Sequence, residues 1–294
     1  MNNKNFDVVI VGLGPVGATL ANLLAMNDLS VLNLEKEAGL YDLPRAVHFD
    51  DEVMRVFNTI GIAKGLSKKL IINKGTKFID EKGKILLDWP RPKIITENGW
   101  FPSYRFHQPD LERSLRYKLK KFSKVKILQN SEVYGTINHE NFTTVSFRNT
   151  RTDKNYSVRS QYVIGCDGAN SFIRKHIKSE LEHLGFEQRW VVIDLILNKN
   201  KNNLPDRTIQ YCNANRPATY CRNVGKRRRW EIALKDNESP EKFFNEKTLW
   251  QFLSQWVLPS EAKIERKTIY TFQSAIAKQW RRGRLFLVGD AAHL

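Results

Sequence analysis

The sequence predicts an α/β fold built on a parallel sheet, and three observations carry that reading. The chain opens as strand, helix, strand, beginning with the continuous apolar run Val8-Val9-Ile10-Val11. Two further runs of the same kind, Tyr162-Val163-Ile164-Gly165 and Leu285-Phe286-Leu287-Val288, suit strands buried on both faces. Between Lys178 and Phe272 the texture changes to short alternating strands, the mark of an inserted β-rich block.

Each element follows in order. Pro15 suits a first helical turn, and Val16, Leu20, Leu23 and Leu24 then share one face of a helix to about Met26. Val31-Leu32-Asn33-Leu34 is the second strand, which completes a βαβ unit. A helix is expected around Asp50–Ile60, then a hairpin over Thr76–Asp88 with Glu81-Lys82-Gly83-Lys84 as its turn. Leu111, Leu115, Leu119 and Phe122 form the apolar stripe of a helix over Gln108–Phe122. Short strands follow near Lys126–Leu128, Glu132–Ile137 and Thr144–Phe147. The β-rich block reads as strands at Trp190–Leu197, Thr208–Cys212, Thr219–Val224 and Trp230–Leu234, a helix over Pro240–Leu253 and a strand near Lys267–Phe272.

Composition bounds the function. At 294 residues, 41% hydrophobic and 27% charged, the chain is of ordinary globular make-up with length for a large core. No apolar run approaches the ~20 residues of a membrane span, and the N-terminus lacks a secretory signal, so no membrane association is expected. Cys166, Cys212 and Cys221 have no paired spacing, which argues against a disulfide scaffold or a metal site and for a reducing cytoplasmic setting. The net charge of +17 is uneven: residues 1–60 hold four basic side chains against eight acidic ones, so the excess lies beyond them. It is scattered through Lys120-Lys121, Lys199-Asn200-Lys201, Lys226-Arg227-Arg228-Arg229 and Arg281-Arg282, without the aromatic runs or finger spacing of nucleic-acid binders. A solvated surface is the simpler reading.

Chemistry begins at Gly12-Leu13-Gly14-Pro15-Val16-Gly17, between the first strand and the first helix. Gly12 allows the tight turn, Gly14 admits a pyrophosphate to the backbone, and Gly17 permits close helix packing. The phosphates would meet the N–H groups and positive dipole of the helix N-terminus, around Pro15 and Val16. Glu35 closes the second strand, followed by Lys36, where a carboxylate can accept hydrogen bonds from a ribose diol. Strand, glycines, helix and acid together predict a Rossmann-like dinucleotide site. The motif alone leaves FAD and NAD open, and Glu35 disfavours a 2′-phosphate.

Two later segments bear on that choice. Tyr162–Arg174, with Cys166-Asp167-Gly168 at its heart, resembles the Asp-Gly fingerprint of single-component FAD-dependent aromatic hydroxylases, the p-hydroxybenzoate hydroxylase-like family. Leu285–His293 is similar to that family's Gly-Asp motif, carried here by Gly289 and Asp290. Pro44-Arg45-Ala46-Val47, Asp50-Asp51-Glu52, Phe106-His107-Gln108-Pro109, Trp190–Asp194 and Arg228-Arg229-Trp230-Glu231 extend the resemblance over essentially the whole chain, toward 3-(3-hydroxyphenyl)propionate hydroxylases.

The resemblance implies a discontinuous FAD-binding domain over residues 1–75, 101–181 and 273–294, with a β-rich substrate domain over 76–100 and 182–272. It implies that Arg45 and Gln108 contact FAD near the pyrophosphate and ribityl portion, and that Asp290 binds the ribityl chain. Asp167 and Gly168 would serve both FAD and NAD(P)H. The implied activity is hydroxylation of a phenolic acid with NADH or NADPH and O2 through a flavin C4a-hydroperoxide. No protein nucleophile is required, none is found, and the catalytic residues stay unassigned.

Other readings remain open. Taken singly, Asp167-Gly168 reads equally as a turn and Asp290 as the cap of a helix starting at Ala291. Tyr211, Tyr220 and Trp230 line an aromatic pocket or belong to the core. His107 and His293 read as structural, and Cys166 as core. A different FAD oxidoreductase, an inactive flavoprotein and a basic binding protein are the rival functions, and an oligomer is compatible with all of them. Leu294 stands four residues after Asp290, where family members continue with a further helix facing the flavin. The resemblance therefore predicts that this chain alone holds FAD poorly, tends to aggregate and hydroxylates little or nothing.

Overall fold

The computed structural model describes residues 4–40, 45–199 and 203–294. Pro44, Asn200 and Lys201, named above, lie outside the described residues. The strands are β1 (Asn5–Val11), β2 (Val31–Leu34), β3 (His48–Asp50), β4 (Ile71–Ile72), β5 (Gly75–Ile79), β6 (Ile85–Pro90), β7 (Ser103–Arg105), β8 (Val125–Leu128) and β9 (Ser131–Asn138). They continue as β10 (Thr143–Asn149), β11 (Asn155–Gly165), β12 (Leu181–Leu197), β13 (Thr208–Tyr211), β14 (Ala218–Arg222), β15 (Arg227–Ala233), β16 (Ala262–Ala277), β17 (Arg281–Arg282) and β18 (Leu285–Leu287). The helices are α1 (Pro15–Met26), α2 (Asp51–Ile60), α3 (Ala63–Leu66), α4 (Gln108–Leu119), α5 (Phe172–His176) and α6 (Glu246–Leu253).

Five parallel strands in the order β18-β11-β1-β2-β8 form the heart of an eight-stranded sheet. The chain leaves β1 toward β2 on one side and later places β11 on the other. The carboxyl ends of β1 and β11 therefore flank a topological switch point, where open α/β sheets bind ligands. Val9, Ile10, Leu32 and Val163 are fully buried, as strands covered on both faces require. α1 and α4 cover one face of this sheet.

The second sheet runs β16-β12-β15-β14-β13-β5-β6 and is antiparallel except for β13 against β5. β5 and β6 reach it from residues 75–90, so two stretches of chain build it. On its outer face Tyr220, Trp230 and Ile232 pack on Leu249, Leu253 and Val257. Alternation then puts Asp194, Cys221, Arg229 and Glu231 on the inner face, because directly paired residues share a face. That face meets the Arg45 segment and β7, which belongs to a small three-stranded sheet β3-β7-β4: Arg229 Nη1 donates to the carbonyl of Arg45 at 2.5 Å, and Arg105 Nη2 donates to Thr208 Oγ1.

Several boundaries moved. The helix expected to Phe122 stops at Leu119, where Lys121 N and Phe122 N turn back to the carbonyls of Lys118 and Leu119. The helix expected over Pro240–Leu253 is a 3-10 turn followed by α6, which starts at an Asn245 N-cap that accepts from Thr248 N. The strand near Lys267–Phe272 is the middle of the longer β16. Instead of a helix starting at Ala291 there is a single 3-10 turn, Gly289–Ala291, with no side-chain cap. Tyr220 and Trp230 are fully buried, with ring centroids 5.0 Å apart, so both are outer-face core.

Candidate active site

The glycine turn is shaped by contact with the strand beside it. Gly12 sits at φ +98°, a region that favours glycine, and a Cβ there would lie 2.4 Å from the Cys166 carbonyl oxygen. A Cβ on Gly17 would lie 2.2 Å from the carbonyl oxygen of Gly12, so any side chain there would collide with the turn. Gly14 differs: nothing stands within 4 Å of its would-be Cβ. The chain thus closes tightly behind the turn and leaves it open in front, at an uncapped helix N-terminus without acidic residues in its first turn. These residues fit a bound pyrophosphate, which needs close backbone approach and a positive dipole.

Glu35 is buried, and its carboxylate accepts from Leu13 N at 2.7 Å and from Glu37 N at 3.0 Å. It therefore fixes the glycine turn as well as standing at the end of β2. Lys36 is exposed and lies 3.9 Å from Glu37. Val16, half-exposed, packs on Gly289, whose own would-be Cβ lies 3.0 Å from it. The first and last motifs are therefore in contact. Asp290 beside them is exposed and makes no cap.

Asp167 and Gly168 follow the end of β11, with Asp167 against Gly12. Asp167 accepts from Ser171 Oγ at 2.5 Å and from Ile173 N at 3.1 Å, which steadies the turn into α5. Buried Arg174 then joins two motifs: it donates to the Ala169 carbonyl at 2.5 Å and to the Ala291 carbonyl at 3.0 Å. Cys166 is no nucleophile, because burial pushes its thiol up to about 12. No group of three or more metal-ligating side chains is present among the described residues.

The Arg45 segment is held from two sides. Gln108, buried at the start of α4, accepts from Arg45 N at 3.1 Å and Ala46 N at 3.0 Å. Its amide nitrogen donates to Glu112 Oε1 at 2.9 Å. Burial pushes the Glu112 carboxyl up, and Arg116 stands 3.4 Å away while donating to the Leu13 carbonyl at 2.9 Å. α4 thereby ties the Arg45 segment to the glycine turn. From the other side comes Arg229, which Asp194 grips at 2.7 and 3.1 Å and whose Nη1 holds the Arg45 carbonyl. Arg266 Nε binds the same aspartate at 2.9 Å.

The structure brings Gly12, Gly14, Pro15, Val16, Gly17, Glu35, Asp167, Gly168, Gly289 and Asp290 to one region, the carboxyl ends of β1, β2, β11 and β18. Arg45 and Gln108 join it through α4. Lys36 follows Glu35 with its side chain exposed. Glu112, Arg116, Arg174, Asp194 and Arg229 had no role assigned from the sequence. Asp194 and Arg229 lie inside resemblance segments, but only the fold shows that they face the Arg45 segment.

The class defined by this arrangement is a dinucleotide-binding α/β protein with a second sheet standing over the site. The chain belongs to the family described as FAD binding domain, whose model matches residues 5–294. A protein of Rhodococcus jostii named as a probable NADH-specific resorcinol 4-hydroxylase is 35% identical over 99% of this chain and 54% of its own length. A 3-(3-hydroxy-phenyl)propionate/3-hydroxycinnamic acid hydroxylase of Burkholderia vietnamiensis is 31% identical over the whole chain and 53% of its own length. The chain thus spans about half the length of these curated relatives. Among solved structures, p-nitrophenol 4-monooxygenase from Pseudomonas putida superposes with a TM-score of 0.89 at 20% identity, over all of this chain and 74% of that one. A ternary complex of aklavinone-11 hydroxylase with FAD and aklavinone gives 0.85 at 20% identity, over all of this chain and 58% of that one. Both share the fold.

Proposed function

We propose that this chain forms the FAD- and ring-binding part of a monooxygenase that hydroxylates a phenolic ring with NAD(P)H and O2. The observation that carries the proposal is the meeting of three separate motifs at one sheet end, beneath the inner face of a second sheet. In this reading residues 1–75, 101–181 and 273–294 bind FAD, and residues 76–100 and 182–272 receive the substrate. Bound FAD supplies the redox and oxygen chemistry.

The chain's own residues bind, orient and shield. The Gly12–Gly17 turn and the N-terminus of α1 receive the pyrophosphate. Glu35 keeps lone pairs to accept from the adenosine ribose, with Lys36 at the rim. Gln108 and Arg229 set the backbone of Arg45 so that its side chain serves the pyrophosphate. The exposed Asp290 carboxylate accepts from ribityl hydroxyls, with Gly289 keeping that approach clear. Asp167-Gly168 lines the cleft shared by FAD and NAD(P)H. The inner face of the second sheet positions the ring and excludes water. Two ring classes suit that role: a phenolic acid of the hydroxyphenylpropionate type, and a dihydroxybenzene.

The test is direct. The purified protein is examined for yellow oxidised flavin and then for NAD(P)H oxidation stimulated by a phenol. Flavin taken up from added FAD is the expected result, and phenol-stimulated NAD(P)H oxidation then marks a hydroxylase against any other flavoprotein. A colourless protein that cannot be loaded with FAD would overturn the proposal, and flavin retention without phenol binding would leave a different flavoprotein.

A further inference from the structure

We propose that Glu231 selects a neutral phenol with a second hydroxyl group, a dihydroxybenzene, over a phenol that carries a carboxylate. The inference rests on the reading above, in which the inner face of the second sheet receives the ring. Cross-strand register places Val192, Glu231 and Thr219 side by side on that face, with Gln210 next along the row. Thr219 Oγ1 donates to Gln210 Oε1 at 2.8 Å, so this row is polar and pre-ordered. One step along the strands lies the charged row of Arg266, Asp194 and Arg229.

A substrate carboxylate would look to those two arginines, and both are committed. Asp194 takes Arg229 through two nitrogens and Arg266 through a third. Arg229 also holds the Arg45 carbonyl, and Arg266 Nη1 donates to Tyr270 at 3.1 Å. The remaining Arg266 Nη2 has no partner, but it is sealed from solvent. Glu231 is the acid left over. Its nearest cation is Arg229 Nη1 at 3.7 Å, too far for a hydrogen bond, and its side chain keeps 22% exposure.

Glu231 thus brings to this row a partly exposed acceptor with only the distant Arg229 Nη1 facing it, beside the partly exposed amide of Gln210. A ring hydroxyl satisfies Glu231 by donating, and no net charge enters the cleft. A carboxylate arriving at the same place meets a second carboxyl. Burial already pushes Glu231 up, with Asp194 adding to the rise and Arg229 and Arg266 opposing it. An added anion has to bring a proton with it or bind beside a like charge. One hydroxyl of the substrate therefore faces Glu231 and the other activates the ring for attack.

The experiment is isothermal titration of FAD-saturated protein with resorcinol and with 3-(3-hydroxyphenyl)propionate, repeated on Glu231→Gln. Wild type should bind resorcinol about tenfold or more tightly than the acid, and Glu231→Gln should shrink that ratio by about tenfold. Equal or tighter binding of the acid by wild type would overturn the inference while leaving the phenol reading intact. An unchanged ratio in a folded Glu231→Gln protein would also overturn it. If that variant melts early, the wild-type ratio decides alone. Binding of neither ligand by FAD-loaded protein would refute the phenol reading itself, and this inference with it.

Discussion

Gly14→Asp should leave the apoprotein folded while removing its hold on FAD. Gly14 is the N-cap of α1 at φ −69° and ψ −172°, a backbone shape open to any residue. With nothing within 4 Å of a Cβ there, the side chain costs no packing. Aspartate is a favoured N-cap and complements the helix dipole, so apoprotein stability should hold or rise by about 0.3–1 kcal/mol. The same carboxylate stands where two phosphates must come. One pair of unit charges about 4 Å apart repels by about 4 kcal/mol at the effective dielectric of a protein surface. That corresponds to about a thousandfold in affinity. Gly14→Ala, which adds bulk without charge, should lose much less. Titrating each apoprotein with FAD by flavin fluorescence, beside a thermal melt, separates the two effects. Wild-type FAD affinity in Gly14→Asp would refute the placement of the pyrophosphate, and an early melt would mean that the open space in front of the turn is structural.

Three further perturbations test the surrounding framework. Glu35→Ala deprives Leu13 N and Glu37 N of their acceptor, so both unfolding stability and FAD affinity should fall, each by about 1.5–3 kcal/mol, without changing the ring position hydroxylated. A changed product pattern, read by chromatography, would contradict that placement. Asp194→Ala leaves Arg229 and Arg266 buried beside no carboxylate and should cost about 3–5 kcal/mol in urea unfolding, with a weaker hold on FAD through the loosened Arg45 segment; a loss under about 1 kcal/mol would show that water replaces the carboxylate. Arg216 holds Glu238 through two 2.7 Å bonds and lowers its carboxyl to about 2 from the ordinary 4.5. A lowered acid stabilises the fold above 4.5 and loses that contribution as pH falls toward 2, so Glu238→Gln should flatten this part of the stability profile. Parallel profiles for the two proteins would contradict the pairing.

What the sequence disclosed divides along physical lines. The strand runs at Val8–Val11 and Tyr162–Gly165 were legible because a strand in the middle of a parallel sheet is nearly continuously apolar, and Val31–Leu34 was legible despite its buried Asn33. The glycine turn was legible because Gly12 and Gly17 answer to contacts that no Cβ survives. Short sheets were not: β3, β4 and β7 hold two or three residues each, too few for a period to show. The positioning residues were hidden for another reason. Nothing local links Arg229 to Arg45, which lie 184 residues apart and meet only when the second sheet packs on the Arg45 segment. Gln108 shows what resemblance leaves out: besides the FAD contact it implies, the side-chain amide holds the Arg45 backbone and Glu112.

The central claim is tested most directly by a crystal structure of this protein grown with FAD. The account predicts the pyrophosphate against Gly12–Gly17 and the N-terminus of α1, the ribityl chain beside Asp290, and the flavin ring beneath the inner face that carries Arg229 and Glu231. Flavin bound elsewhere, or with its phosphates away from Gly14, would contradict it.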